Sequence, residues 1–414
     1  MKILYATRLF SGLESSFTNG TWSPTGVPTI YKIIEELDKY DTRFIFSVKD
    51  SGNGYCSLWG NEKDCISQVD GLNHSVKILS GISFFPAVIT RKLAMILRDI
   101  RQSIIIIIEA IRFNPDVVYC DHANIIVAAV ISRFQRKIPV VFRAMGIYPF
   151  MRDALDGSKL IHKTYKWAYR SPFALVICTQ DGSGVEQWLY RAIRNEVPKK
   201  ILLNGVDRII LPENIDNKLE SVSKKKNVIL FVGKLERYKG CYEFVESIIY
   251  LLDKKVLVHA LIIGTGSEID QLKNIVQRSK YKRNFIFIDR LPHEQIMAAH
   301  KMSEIYVSMN HFGNLSNANL EAIQSNDCII IPYPQLKTGV DVITDNLLKG
   351  TVVNAPIDNP KYLSNVLYDL IKSKKERLKV SEKIRIRKRD FLYLWDERIS
   401  IEMDILKNLA KVKI

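Results

Sequence analysis

Hydrophobic positions along this chain follow two alternating rhythms. Short continuous apolar runs, of the length expected for buried strands, are separated by longer stretches in which apolar residues return with helical spacing. The short runs fall at Lys2–Ala6, Arg43–Val48, Ser75–Leu79, Asp116–Cys120, Pro139–Arg143, Ala174–Cys178 and Lys200–Leu203. After a pause they resume at Val228–Val232, His259–Ile263, Phe285–Ile288, Glu304–Ser308, Cys328–Ile331 and Thr351–Val353. Helical patterns between them include Ile30–Leu37, Asn124–Phe134, Ile269–Val276 and Leu363–Ile371. Strands alternating with helices predict parallel sheets covered on both faces.

The pause is polar. Pro212–Asn227 carries Lys224, Lys225 and Lys226 in a row and reads as the best linker in the chain. A length of 414 residues also exceeds what one hydrophobic core usually supports. The pattern therefore predicts an α/β protein of two doubly wound domains, over residues 1–205 and 206–390. A final amphipathic helix follows over 391–414, with Leu394, Trp395, Ile399, Met403 and Leu406 along one stripe.

Composition narrows this picture. Hydrophobic residues at 47% and charged residues at 25% belong to a folded globular chain. The net charge of +16 points to nucleic acid, an anionic membrane surface or anionic small molecules. Bases spread along the chain without an RNP, zinc-finger or helix-turn-helix signature argue against nucleic acid. The six cysteines, at 56, 65, 120, 178, 241 and 328, show no C-x-x-C spacing and read as thiols in a reducing compartment. MKILYATRLF lacks the features of a signal peptide, and the run Ile104–Ile108 falls far short of the ~20 residues that span a bilayer. These features predict a cytoplasmic protein whose membrane contact, if any, is peripheral.

Two segments leave that contact open. From Gly81 to Phe113, apolar Phe84, Phe85, Val88, Ile89, Leu93, Met95, Ile96 and Leu97 mix with Arg91, Lys92, Arg98 and Arg101. This suits either a helix on an anionic membrane or a core helix with a solvated basic face. Residues 372–389 hold ten Lys or Arg against Glu376 and Glu382, which suits either a solvated face or a lipid-docking one.

Candidate chemistry sits where strands end. After Val228–Val232, Gly233 permits a tight turn, and Lys234 and Lys239 precede Gly240 at a helix start, an arrangement that suits phosphate. After His259–Ile263, Gly264-Thr265-Gly266 lets backbone amides approach a nucleotide without forming a full dinucleotide fingerprint. After Glu304–Ser308, Ser316 or Asn317 can cap a helix, and Glu321 one turn on shares its face, where a carboxylate can accept ribose hydroxyls. In the first domain, a long loop over residues 9–28 carries Gly12, Gly20 and Gly26. Gly26 reads as either a substrate-approach glycine or a plain turn.

Together VGKLERYKG, IIGTGSEIDQL, SNANLEA and NGVD resemble the nucleotide-binding half of glycosyltransferases of the GT-B fold, most nearly the retaining family 4, the glycosyl transferases group 1. PDVVYCDHA, IPVVFRAMGIYPF and ICTQDGSG add weaker agreement in the first half. The resemblance implies two Rossmann-like domains facing across a cleft, the first binding acceptor and the second binding nucleotide-sugar. LWDER at Leu394–Arg398 resembles the start of the helix that returns to the first domain.

It further implies transfer of a sugar from a UDP- or GDP-sugar with retention, to a glycan or lipid-linked acceptor, as in bacterial surface polysaccharide assembly. Lys234 stands where the family usually has arginine, and Lys239 matches its lysine. Both would hold the diphosphate and stabilise the leaving phosphate. With no D-x-D motif, no metal or other cofactor is expected. Glu321 matches the second Glu of the E-x7-E motif, whereas the first falls on Gly313. Asn314 and Asn317 would then supply polar groups to the donor. On the acceptor side the family's histidine aligns with Asp121 or His122, and Gly146 matches a glycine near the acceptor. Arg143 reads as either a phosphate contact or an ion-pair partner. Two other readings remain: a nucleotide-sugar epimerase or hydrolase of the same fold, and a non-catalytic nucleotide-sugar-binding assembly subunit.

Overall fold

A computed structural model describes residues 1–49, 63–82, 85, 86 and 88–411; Cys56 and Phe84 lie outside these. The chain forms two compact units. The first holds Met1–Thr179, Glu186–Leu202 and the chain from Asp396 onward, and the second holds Gln180–Val185 and Leu203–Trp395.

The first unit is built on β1 (Lys2–Arg8), β2 (Asp41–Ser47), β3 (Cys65–Ser67), β4 (Val76–Leu79), β5 (Val117–Asp121), β6 (Val140–Ala144), β7 (Leu175–Gln180) and β8 (Lys199–Leu203). They form one sheet in the order β3-β4-β2-β1-β5-β6-β7-β8. β1 lies between β2 and β5, with Lys2 opposite Asp41 and Ile3 opposite Val117, both pairings parallel. The second unit contains β9 (Val228–Val232), β10 (His259–Ile263), β11 (Phe285–Ile288), β12 (Ile305–Val307), β13 (Ile329–Pro332) and β14 (Val353–Ala355). Their order is β11-β10-β9-β12-β13-β14, and every neighbouring pair is parallel. Helices cover both faces, since alternate residues of β9 enter two different apolar clusters. Ile229 and Phe231 pack on one side, and Val228 and Leu230 on the other. Continuous apolar strands are what such double coverage requires.

Three elements differ from the sequence expectation, each for a local reason. β3 has only Cys65, Ile66 and Ser67, with Ile66 exposed, so it carries no apolar run. It pairs antiparallel at the sheet edge. The loop expected over residues 9–28 contains a helix, Ser11–Asn19, because Leu13 and Phe17 share one face and bury it. The last strand lies later than Thr351–Val353, because the Thr351 hydroxyl donates to Leu348 O at the end of the preceding helix.

The helix Arg91–Phe113 is inverted relative to a core helix. It buries Ala94, Arg98, Gln102, Ile106 and Ala110. Gln102 Nε2 donates to Val48 O at 3.1 Å and Ser80 O at 2.8 Å, and Arg101 reaches Asp64 at 2.7 Å. The opposite face displays Leu93, Ile96, Ile100, Ile104, Ile108 and Ile111, each 41–55% exposed. Buried polar groups that find partners fix the inner face beside Ile106, and Ile96, Ile100, Ile104, Ile108 and Ile111 remain outside.

The basic run 372–389 folds largely as the helix Lys374–Arg387, and several of its cations serve neighbouring helix ends. Arg377 donates to Leu370 O and Ile371 O, Arg387 to Leu347 O at 2.7 Å, and Lys388 to Gln324 O at 2.6 Å. These carbonyls end helices, where the dipole favours cations.

Candidate active site

In the second unit, β9 delivers the chain to Gly233 and Lys234, and a 3-10 turn at Arg237–Lys239 precedes the helix Cys241–Asp253. The β10 loop interlocks with this segment. Leu235 N donates to Thr265 O at 2.9 Å, and Glu268 N to Leu235 O at 3.0 Å. A Cβ on Gly264 would stand 1.9 Å from Gly233 O, so glycine at 264 is needed for the two backbones to touch. Gly264 and Gly266, expected to let a nucleotide near, thus first let the two loops near each other.

Lys234 is exposed and Lys239 half-buried. Burial lowers the Lys239 pKa, the neighbouring Lys234 lowers it further, and Asp181 opposes both. Two cations held close enough to depress one of them are poised for an anion. A bound diphosphate would supply a counter-charge that favours the protonated form of Lys239. The Lys239 turn is fixed to the end of β12, where His311 N donates to Tyr238 O at 2.9 Å.

Gly313 explains the departure from the E-x7-E motif. Its φ is +122°, and a Cβ there would lie 2.4 Å from Asp181 O and 2.7 Å from Ser183 N. The strap Gln180–Val185 occupies the place that a glutamate side chain would need. It is clipped down by Leu315 N donating to Asp181 O at 3.1 Å and Asp341 N donating to Gly182 O at 2.7 Å.

Asn314 is a correction to the expected donor contacts. It is wholly buried, and its groups are spent internally. Its backbone N–H and Nδ2 donate to Asp341 at 2.7 Å each, and Nδ2 also donates to Asn310 O. Its Oδ1 accepts from Ser308 at 2.9 Å. Asn314 therefore positions the loop.

Ser316 precedes the helix Asn317–Ser325, yet its hydroxyl donates to Asn319 Oδ1 at 3.1 Å rather than accepting from the helix N–H groups. Those N–H groups are left for other acceptors. Asn317 Oδ1 accepts from Asn204 Nδ2 at 2.7 Å, which draws the NGVD segment to the same place. Glu321 lies one turn on. His293 Nε2 is 3.6 Å from Glu321 Oε1 and 3.4 Å from Asp207 Oδ2. Burial raises the Glu321 pKa, His293 draws it back, and Asp207 pushes it further up.

Sequence reasoning missed Asp181, Asp341 and His293. Burial pushes the carboxyls of Asp181 and Asp341 up to about 6, Lys239 restraining the first and Asn314 and Thr344 the second. The available signal was ICTQDGSG, where glycines flank Ser183 directly after a strand.

The first-unit candidates divide differently. Arg143 is 2% exposed, and its guanidinium lies 3.4 Å from Glu402, which also pairs with Arg398 and accepts from Tyr119. Its phosphate reading is corrected: Arg143 is an ion-pair partner. Asp121 is consumed by Thr7, Arg8 N and Asn124, which leaves the half-buried His122 as the less occupied of the two. Burial lowers the His122 pKa to about 4, so its imidazole is neutral, and it stacks on Tyr169 with ring centres 6.3 Å apart. Gly146 follows β6 and is buried, whereas Gly26 is exposed with nothing within 4 Å of a Cβ placed there. A cavity of about 850 Å³ lies at the opposite strand ends, lined by Arg133, Arg136, Lys137 and Trp167 among others, away from all these residues.

Residues 213–387 match the family model for glycosyl transferases group 1. This segment is similar to glycosyl transferases group 1. It contains the Lys234, Lys239 and Glu321 positions described above. Two curated relatives are uncharacterised glycosyltransferases of Methanocaldococcus jannaschii. One is 29% identical over 28% of this chain and 31% of its own length, and the other is 22% identical over 62% and 64%. The chain thus spans less than two-thirds of either relative. Among solved structures, Anabaena HepE in complex with UDP superposes with a TM-score of 0.65 at 16% identity, covering 100% of both chains. The fold is GT-B. No described helix is long and apolar enough to cross a membrane.

Proposed function

We propose that the chain is a retaining glycosyltransferase that moves a sugar from a UDP- or GDP-sugar to a glycan or lipid-linked acceptor. The observation that carries this reading is the paired cations Lys234 and Lys239 at the end of β9, inside the segment that matches group 1. The UDP bound by HepE supports a uridine donor. Lys234 and Lys239 hold the diphosphate and stabilise the charge that develops on it as the glycosidic bond breaks. Glu321 accepts the ribose hydroxyls, with His293 orienting its carboxylate. The leaving phosphate takes the acceptor proton, so the protein contributes position and charge rather than a nucleophile. His122, neutral above pH 4, serves the acceptor side as a hydrogen-bonding group.

The outward stripe from Leu93 to Ile111, flanked by Arg91, Lys92 and Arg112, supports an acceptor presented at an anionic membrane. An acceptor presented there is compatible with a role in surface polysaccharide assembly.

Nucleoside diphosphate release, measured with UDP- and GDP-sugars in the presence of lipid-linked acceptors, tests the reading. Acceptor-dependent release supports transfer, and release without acceptor indicates a hydrolase. Donor binding without turnover under any acceptor indicates a non-catalytic subunit. Sedimentation with anionic liposomes that moderate salt reverses supports the membrane contact. Binding indifferent to lipid charge contradicts it.

A further inference from the structure

Apart from the cations and Glu321, the second unit brings together Glu243, His311 and Asp358. Glu243 lies in the first turn of the helix Cys241–Asp253, His311 just after β12, and Asp358 just before the helix Pro360–Lys372. One ligand atom from each lies within 4.8 Å of the others. His311 Nε2 is 3.4 Å from Glu243 Oε1 and 3.8 Å from Asp358 Oδ1. Atoms bound about 2.0–2.2 Å from a tetrahedral zinc stand about 3.3–3.6 Å from each other, so this spacing is close to that of a coordination shell.

Partner accounting points the same way. Glu243 is 9% exposed, yet its Oε2 has no hydrogen-bond partner, and neither does His311 Nε2. The 3.4 Å approach is therefore proximity without hydrogen-bond geometry. A buried carboxylate oxygen and imidazole nitrogen left so are costly unless something else satisfies them. The backbone holds His311 independently, through its N–H to Tyr238 O and its carbonyl, which accepts from Gln335 Nε2 at 3.1 Å.

We propose that Glu243, His311 and Asp358 bind a divalent metal ion, zinc by the match of one imidazole and two carboxylates. The ion joins three segments: the first turn of the helix Cys241–Asp253, which follows the Lys239 turn, the loop leading to Gly313, and the residues just before the helix Pro360–Lys372. It stiffens the support beneath the cations without contacting the reacting atoms. Coordination needs neutral His311.

The test uses the full chain, stripped of metal and titrated with zinc chloride by calorimetry at pH 7.5, with no nucleotide or acceptor present. Its outcome is thus separate from that of the transferase reading. One zinc per chain is expected, with a rise in Tm on binding. His311→Ala and the exposed Asp358→Asn should each weaken binding by at least about 100-fold, the upper range for losing an outer-shell partner. Cobalt substitution should give the visible bands of a four-coordinate site. Absence of zinc binding overturns the proposal, as does binding that both variants leave unchanged. An imidazole that titrates as a simple ion-pair partner and ignores zinc overturns it too.

Discussion

Arg143 lies near the end of β6 in the first unit, and Lys239 follows β9 in the second. Both are cations placed where a parallel sheet presents its C-terminal edge, and they do opposite work. Arg143 is closed in with Glu402, Arg398 and Tyr119, all buried, and its charge is spent inside its own unit. Lys239 is half-buried beside another lysine, with Asp181 as a nearby counter-charge, so its charge is incompletely answered. A strand-end cation signals a site when its own unit leaves it short of anions, and structure when it does not.

The largest way to test that contrast is to break the buried cluster. Glu402→Ala leaves two buried guanidinium groups unbalanced and should cost about 3–5 kcal/mol, read by urea unfolding. Burial alone would raise the Glu402 carboxyl, but Arg143 and Arg398 outweigh it and hold it low. Its contribution is therefore present above the ordinary carboxylate pKa of about 4 and lost as pH falls through the depressed value. The wild type should lose that stability in acid, and Glu402→Ala should lack the component.

Restoring the motif residue comes next. Gly313→Glu places a side chain against the 180–185 strap at a positive φ, and should cost about 3 kcal/mol from strain and overpacking together. Circular dichroism melting checks this. A variant as stable as the wild type would show that the strap yields.

Smallest is Asp181→Asn. In the folded protein Asp181 and Asp341 hold protons up to about pH 6, whereas the unfolded chain releases them near pH 4. The native state binds more protons in that window, so stability falls as pH rises through it. Asp181→Asn keeps the acceptor for Ser183 and should add on the order of 1 kcal/mol at pH 7. It should also flatten the pH slope, as followed by Tm between pH 4 and 7.

The architecture was legible because strand and helix periods are strong in this chain. Val228–Val232, His259–Ile263 and Phe285–Ile288 were placed to the residue, since each is a continuous apolar run between turn signals. β3 was invisible, because an exposed three-residue edge strand has no such run. Lys234, Lys239 and Glu321 were proposed from motif spacing, which reports position along one segment. Asp181, 58 positions before Lys239, was not, because the contact of the strap with the Gly313 loop is long-range. Asn314 and Arg143 misled for a related reason. Residue type announces capacity to bind, and only burial shows that the capacity is already used.

The central claim is that Lys234 and Lys239 hold a nucleotide-sugar diphosphate. Calorimetric titration of the wild type and Lys239→Ala with UDP- and GDP-sugars tests it most directly. The account predicts that one of these donors binds the wild type and that Lys239→Ala weakens it by about 10²-fold, a loss near 2.7 kcal/mol, with Tm of the free protein little changed. A wild type that binds none of them, or a Lys239→Ala variant that binds as tightly, would contradict it.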